Sequence, residues 1–365
     1  MKIVYFIDHL RPDGSQHVLR QLVEAMAARG HTQAVVCLND SVDEALVARL
    51  RGAGAEVWVV GKRALATGGL LAIWLWLRHR RFDTALTLLL YADVIGRVLA
   101  RLAGIPRVVT SIQTRNVDYS ALQRALVRGT IGLADTVLIP SEEMRAFVAE
   151  VEGAPHERLV LMQHAVEVAR YRVPMEREAL RAELGLAPDV RVIGMVARLF
   201  PQKGHDVLLD ALATLGEARP HLLIAGVGEL EGALRERARR LGIESHVHFG
   251  GYRRDVPRLL GALDLYVHSS RWEGMSLAVI EAMAAGCPVV ATVVDGSREL
   301  IEDGVHGWLV PPGDAAALAR ALGEALADPA EARRRGDAAA RRAAERYDTS
   351  IMAATWERVA GDGHL

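Results

Sequence analysis

Short apolar runs alternate with amphipathic stretches from one end of this chain to the other. In the first half, runs at 2–7, 33–38, 56–60, 84–89, 107–111, 136–139 and 159–162 read as strands. Helical spacing lies between them, including 16–29, 93–103 and 141–150. The second half repeats the scheme, with strands at 191–196, 221–225, 247–250, 265–268, 289–291 and 308–310 and helices such as 206–215, 230–241 and 276–285. Strands that are apolar throughout are covered on both faces, which predicts parallel sheets with crossover helices. The expected fold class is α/β, two doubly wound Rossmann-like domains facing across a cleft.

The join falls in the polar, Arg/Glu-rich stretch 167–189, which has no apolar strand of its own. This predicts a first domain at 1–168 and a second at 169–348. An Ala/Arg/Glu-rich helix at 329–344 is followed by another at 350–359 carrying Trp356, and segment 349–365 is expected to pack back on the first domain. In open α/β sheets ligands lie beyond the carboxyl ends of the strands, so the loops there are the first place to look for chemistry.

At 365 residues the chain exceeds one ordinary core, in keeping with two domains. A formal net charge of −1 excludes the basic excess of a nucleic-acid binder. Cys37 and Cys287 sit in strand-like surroundings with no framework spacing, as buried thiols of a reducing, cytoplasmic compartment. The longest apolar run, Leu-Leu-Ala-Ile-Trp-Leu-Trp-Leu at 70–77, is too short to span a bilayer and is followed by Arg78, His79, Arg80 and Arg81. It reads as a buried helix with a solvated basic end. Its other use is peripheral docking of the first domain on the anionic inner face of the cell membrane.

Four loops at predicted strand ends carry polar chemistry. Arg198 and Lys203 follow one strand, and Gly204 permits a tight entry into a helix, a combination suited to a diphosphate. Gly226-x-Gly228 follows another, but the third glycine of a dinucleotide fingerprint is missing, which discounts a nicotinamide cofactor. Gly250-Gly-Tyr252-Arg253 offers backbone groups to the edge of a base. Glu273 and Gly274 precede a helix whose first amides, at Met275, Ser276 and Leu277, form an anion site. If that helix starts near Ser276, Glu281 falls on one stripe with Leu277, Ile280 and Ala284. A carboxylate there is costly to bury without a hydrogen-bonding partner.

Glu273-Gly-x6-Glu281-Ala-x3-Gly286-x-Pro288-Val-Val-Ala resembles the signature of glycosyltransferase family 4, retaining enzymes of the GT-B fold. The likeness extends to Arg198-x4-Lys203-Gly204, Gly250-x4-Asp255-Val256, Asp264-Leu-x-Val-x-Ser269, Gly296-Ser-Arg-Glu-Leu-Ile-x-Asp-Gly and Gly307-Trp-Leu-Val-Pro-Pro-Gly-Asp. It covers most of 190–315. In the first half, 91–111 resembles a segment of bacterial polysaccharide-building members.

The resemblance implies that Arg198 and Lys203 hold the donor diphosphate and that Glu273 binds the donor sugar, these three forming the catalytic set. It assigns Glu281 to the ribose hydroxyls and the backbone at Tyr252 and Arg253 to the base. Gly14, Gly204, Gly274, Met275, Ser276 and Leu277 complete the donor site. It further implies a nucleotide-sugar donor with UDP favoured over GDP, a glycan or lipid-linked acceptor, no metal, no cofactor and no nucleic-acid partner. In the first domain the pattern departs from the family. Asp13-Gly14-Ser15 stands where a Gly-Gly pair is usual, Gln113-Thr-Arg115 where a His is common, and His164-Ala-Val-Glu167 where Asn-Gly-x-Asp is common. Asp13, Gln113 and Arg115 are the acceptor-side candidates. Other readings of the same pattern are a catalytically idle paralogue, a phosphorylase and a sugar-nucleotide epimerase.

Overall fold

The computed structural model describes residues 1–11, 14–116, 118–174, 176–216 and 219–361. The chain divides into two compact units, Met1–Ala165 with the segment from Thr349 onward, and Val166–Asp348.

The first unit is built on a seven-stranded parallel sheet: β1 (Lys2–Ile7), β2 (Thr32–Cys37), β3 (Glu56–Val59), β4 (Thr84–Leu88), β5 (Arg107–Ser111), β6 (Thr136–Ile139) and β7 (Leu159–Leu161). The spatial order is β3-β2-β1-β4-β5-β6-β7, and Ile3 of β1 pairs with Gln33 on one side and Thr84 on the other. β1 and β4 are buried almost along their whole length, which is why they read as apolar runs without alternation. Helix Thr349–Ala360 belongs to this unit. Its Trp356 is fully buried beside Tyr5, the rings 6.2 Å apart, and its last carbonyls accept from Thr84 Oγ1 at 2.7 Å and Arg107 Nε at 2.6 Å.

The apolar run at 70–77 forms helix Leu70–Arg80, but only Ile73 and Leu77 are buried on it. Leu70, Leu71 and Leu75 are exposed, so the expectation of a buried helix is corrected to one with an open leucine face. Trp74 and Trp76 are half-buried and carry the Arg78 and Arg80 guanidinium groups over their rings. Among the described residues, no helix is long and apolar enough to cross a membrane.

The second unit holds a six-stranded parallel sheet: β8 (Val192–Val196), β9 (His221–Ala225), β10 (Val247–Gly251), β11 (Leu265–His268), β12 (Val289–Thr292) and β13 (Trp308–Val310). Its order, β10-β9-β8-β11-β12-β13, repeats the first unit's pattern: the chain walks outward in one direction, then returns to the middle and walks out in the other. Helices cover both faces, with Leu208, Leu212, Leu318 and Leu322 in one core layer and Tyr266, Ile280, Met283 and Tyr347 in the other. The polar stretch 167–189 folds within this unit as a 3-10 turn at Val168–Tyr171 and a helix at Arg177–Glu183. Arg181 of that helix is buried against Asp264, at 2.6 Å.

Candidate functional site

The strand order of the second sheet reverses between β8 and β11, and the loops after those two strands carry Arg198, Lys203 and Glu273. Such a reversal opens a crevice at the carboxyl ends of the strands, the usual ligand position in doubly wound sheets.

After β8 the chain makes a 3-10 turn, Pro201–Lys203, and leaves it through Gly204 at φ 65°, entering helix His205–Thr214. A Cβ on Gly204 would sit 2.1 Å from the Ser269 carbonyl oxygen, so glycine is required both by the left-handed backbone and by the neighbouring loop. The two loops are stitched together. Arg271 N–H donates to the Gln202 carbonyl at 2.7 Å, Ser269 Oγ to that of Lys203 at 3.0 Å, and Gln202 Nε2 to that of Trp272 at 2.9 Å. The β9–β10 side is joined to them by close backbone approach. A Cβ on Gly228 would lie 2.4 Å from the Leu199 carbonyl oxygen, and Gly226 N–H donates to the Gly251 carbonyl at 2.7 Å. Gly250 and Gly251 therefore end a strand instead of forming an open turn, and the carbonyl of Gly251 is already engaged. The backbone groups expected there for reading a base are reduced by that bond.

Glu273 is buried, 7% exposed, and its Oε1 accepts from Lys203 Nζ at 2.5 Å and Ser270 Oγ at 2.8 Å. Gln202 Nε2 reaches Oε2 at 3.4 Å. His268 Nε2 lies 3.4 Å from Oε1, and its ring nitrogens have no hydrogen-bond partner, so it faces the carboxylate as a close contact. Burial pushes this carboxyl up, but the Lys203 ammonium, with the His268 ring and the hydrogen bonds, outweighs burial and holds it well below the carboxylate range. Lys203 and Glu273, predicted seventy residues apart in the chain, are one ion pair.

Helix Leu277–Ala284 begins directly after, capped by Ser276 Oγ, which accepts from Val279 N–H at 3.4 Å. Gly274 and Met275 pack against Gly296, whose positive φ and neighbours leave no room for a side chain. The helix is buried over most of its circumference, through Val279, Ile280, Ala282, Met283 and Ala284, a wider apolar face than the single stripe its spacing suggested. Glu281 is half-buried on it, and its Oε1 accepts from the Tyr171 hydroxyl at 2.6 Å. Tyr266, fully buried at β11, feels both Glu281 and Glu273: its phenol is raised well above normal by burial first and then by these two carboxylates.

The remaining donor candidates lie further out. Arg198 is exposed, with its guanidinium 4.8 Å from the centre of the Phe200 ring. Tyr252 is exposed, and the Arg253 side chain is bound to Asp255 at 2.7 Å and Glu183 at 2.5 Å. Ser270, Gln202, His268 and Tyr171 were not singled out from the sequence. Ser270 stands three residues before Glu273 in the same loop, a local signal; Tyr171 lies 110 residues from Glu281 and gives none.

In the first unit the strand order reverses between β1 and β4. Asp8, just after β1, accepts from the Tyr91 and Ala92 amides at 3.2 and 2.6 Å, at the start of helix Leu90–Ala103. Leu89 before it holds φ 74°, a conformation nearly confined to glycine. Beneath lies a buried polar group. Asp93 accepts from Thr87 Oγ1 at 2.6 Å and stands 3.6 Å from fully buried Arg97, and Glu152 accepts from Asn116 at 2.7 Å. Burial drives the Asp93 carboxyl up to about 7 against the pull of Arg97 and Thr87. Gln113 is held between Ser111 Oγ at 2.5 Å and His164 Nε2 at 2.8 Å. Arg115 donates to the Glu143 carbonyl at 3.3 Å and stacks on Phe147. Gly14 starts helix Gly14–Ala28 with open space where a side chain would be. Asp13 lies outside the described residues. Among the described residues, no group of three or more His, Cys, Asp or Glu is placed to hold a metal ion.

Two Rossmann-like units with this strand order, the second carrying a cation–carboxylate pair at its switch point, define a chain of the GT-B architecture. The model for "Glycosyl transferases group 1" matches residues 176–342, and that for "Glycosyl transferase 4-like domain" matches 13–165. The chain belongs to glycosyltransferase family 4. It is 35% identical over 246 residues to the D-inositol 3-phosphate glycosyltransferase of Nocardia farcinica, 62% of this chain and 54% of that protein. It is 32% identical over 174 residues to the lipopolysaccharide core biosynthesis mannosyltransferase LpsB of Rhizobium meliloti, 45% of this chain and 50% of that one. The chain thus spans about half the length of the curated relatives it matches. Among solved structures it is similar to Anabaena HepE in complex with UDP-glucose, at 25% identity and TM-score 0.86, over 98% of this chain and 99% of that one.

Proposed function

We propose that this chain transfers a hexose or N-acetylhexosamine from a nucleoside-diphosphate sugar, UDP in preference to GDP, to a hydroxyl acceptor with retention of anomeric configuration. The observation that carries the reading is the Lys203–Glu273 pair, with its carboxylate buried, at the β8/β11 switch point beside the start of helix Leu277–Ala284. A diphosphate at that helix terminus meets the positive end of its dipole, and Lys203 and Arg198 supply the cations that take up leaving-group charge as the bond to the sugar breaks. Glu273, ionised throughout the physiological range, accepts hydrogen bonds from sugar hydroxyls and is no proton donor. Attack then comes from the departing face, and the acceptor proton passes to an oxygen of the leaving diphosphate. The reading needs no metal and no cofactor, because the cations and the helix terminus meet the diphosphate directly.

Supporting context comes from HepE, solved with UDP-glucose, and from LpsB, whose name places it in lipopolysaccharide core synthesis. A lipid-linked or polysaccharide acceptor also fits the exposed leucines and flanking arginines of helix Leu70–Arg80, an apolar face with a basic rim suited to an anionic leaflet. A thermal-shift screen with UDP, GDP and their sugar conjugates tests the donor assignment. A ligand at about 100 times its dissociation constant stabilises the protein by about 2.7 kcal/mol, so UDP should raise the unfolding temperature by several degrees. No shift with any nucleotide diphosphate would overturn it.

A further inference from the structure

His268 ends β11 and has no part in the reading above, yet its ring lies against the Lys203–Glu273 pair. Its place is fixed by the sheet: it pairs with Ala291 of β12, and its carbonyl accepts from Thr292 Oγ1 at 3.3 Å. The residue is 2% exposed, and neither ring nitrogen has a hydrogen-bond partner. Nε2 stands 3.4 Å from Glu273 Oε1, close but not formed as a hydrogen bond. Buried polar groups are nearly always bonded, and one left without a bond is costly, so this ring calls for a reason. A carboxylate only accepts, so the tautomer that suits the contact carries its hydrogen on Nε2.

The reason lies in how Oε1 is occupied. It accepts from Lys203 Nζ at 2.5 Å and from Ser270 Oγ at 2.8 Å. In the proposed function the same ammonium meets the donor diphosphate. As it turns there, its bond to Oε1 weakens, and the buried carboxylate keeps only the Ser270 hydroxyl and Gln202 Nε2, which reaches Oε2 at 3.4 Å. The ion pair therefore opposes nucleotide binding unless another donor replaces the lysine. His268 faces the same oxygen with no other hydrogen bond to give up. Shortening its contact by about half an ångström makes it a hydrogen bond.

We infer that His268 is a positioning residue: it takes over Glu273 Oε1 when Lys203 turns to the diphosphate, and so holds the carboxylate in place while the lysine changes partners. The inference rests on the proposed contact between Lys203 and the diphosphate. It predicts that His268 matters to nucleotide affinity only while residue 273 is charged.

The test is calorimetric binding of UDP to the full chain. His268→Phe keeps an aromatic ring but no donor, and should lose about tenfold affinity, the scale of a hydrogen bond to a charged group. His268→Gln, whose amide N–H stands near the position of ring Nε2, should restore most of it. In a Glu273→Gln background Lys203 is no longer held by a charge, so adding His268→Phe should cost nothing further. A second measurement needs no variant of the site to fold: in wild type isotopically labelled at histidine, UDP should move a ring N–H signal of His268 downfield, as a bond to a carboxylate does. No loss in His268→Phe, a loss that His268→Gln shares, an equal loss in the Glu273→Gln background, or a ring signal unmoved by UDP overturns the role of His268 alone. Unchanged UDP affinity in Lys203→Ala overturns the diphosphate reading, and the role of His268 with it.

Discussion

The two switch points are built on the same strand order but finished in opposite ways. In the first unit the chain's own Asp8 carboxylate occupies the amides that open helix Leu90–Ala103. In the second unit the corresponding helix, Leu277–Ala284, is capped by the neutral Ser276 hydroxyl, and the nearest charge arrangement is the Lys203–Glu273 pair. A helix start already satisfied by a carboxylate has its anion; one capped by a hydroxyl beside a lysine is suited to receive one. The same strand-order pattern thus gives two different surfaces, and on the proposed function the residues that finish the crevice decide which of them takes a diphosphate.

The sharpest way to break this comparison is to remove the cations of the second unit. Lys203→Ala or Arg198→Ala should lower kcat/KM by roughly two to four orders of magnitude, whereas Asp8→Ala should leave UDP affinity within about twofold. Steady-state kinetics and calorimetry on the three variants decide it. Near-normal turnover without Lys203, or loss of UDP binding without Asp8, would reverse the roles of the units.

Next in size is the backbone. Gly204→Ala forces a Cβ against the Ser269 carbonyl from a left-handed backbone and should destabilise the second unit by about 2 to 4 kcal/mol. Gly14→Ala, at the first helical residue of the other unit with open space around it, should change stability by less than about 0.5 kcal/mol. Denaturant titrations of the two variants measure the contrast.

The smallest effect is in pH, and it has opposite signs in the two units. Asp93 has its pKa raised from 3.8 to about 7 by burial, so its stabilising contribution is full below pH 4 and is lost as pH rises towards 7. Glu273 has its pKa lowered below 4.5, so its contribution is present above that value and is lost as pH falls beneath it. Relative to wild type, Asp93→Asn should gain stability as pH rises from 4 to 7. The deficit of Glu273→Gln should shrink as pH falls below 4.5. Unfolding temperatures recorded across pH 3 to 8 give both differences, and flat differences would remove the electrostatic account of either site.

Much of the fold was legible because central strands of doubly wound sheets are apolar at every position; most termini moved by a residue or two, while the helix expected at 93–103 starts at Leu90 and that at 141–150 opens as a 3-10 turn, Glu142–Met144, before helix Arg145–Glu150. The Lys203 and Glu273 loops were legible for a related reason, since each follows such a strand. The contacts that finish each site were not. Asp8 meets amides more than eighty residues away, and Tyr171 meets Glu281 across 110. Neither pairing leaves a local pattern, because a carboxylate after a strand and a tyrosine in a polar stretch are ordinary in isolation. Helix Leu70–Arg80 failed for the opposite reason. Its residues 70–77 are hydrophobic at every position, which suggests burial, but only Ile73 and Leu77 are fully covered. Hydrophobicity reports what a side chain prefers and not what the fold supplies to meet it.

Trp356 gives the first unit an unusual calendar. Its sheet is fully synthesised once β7 is made, yet the indole that seals Tyr5 and the carbonyls that bind Thr84 and Arg107 arrive only after the entire second unit has been translated. The earlier-made half of the protein is therefore the later-finished half. Until then the part of the Tyr5 face that Trp356 covers stays open, while the second unit is already able to close its own core.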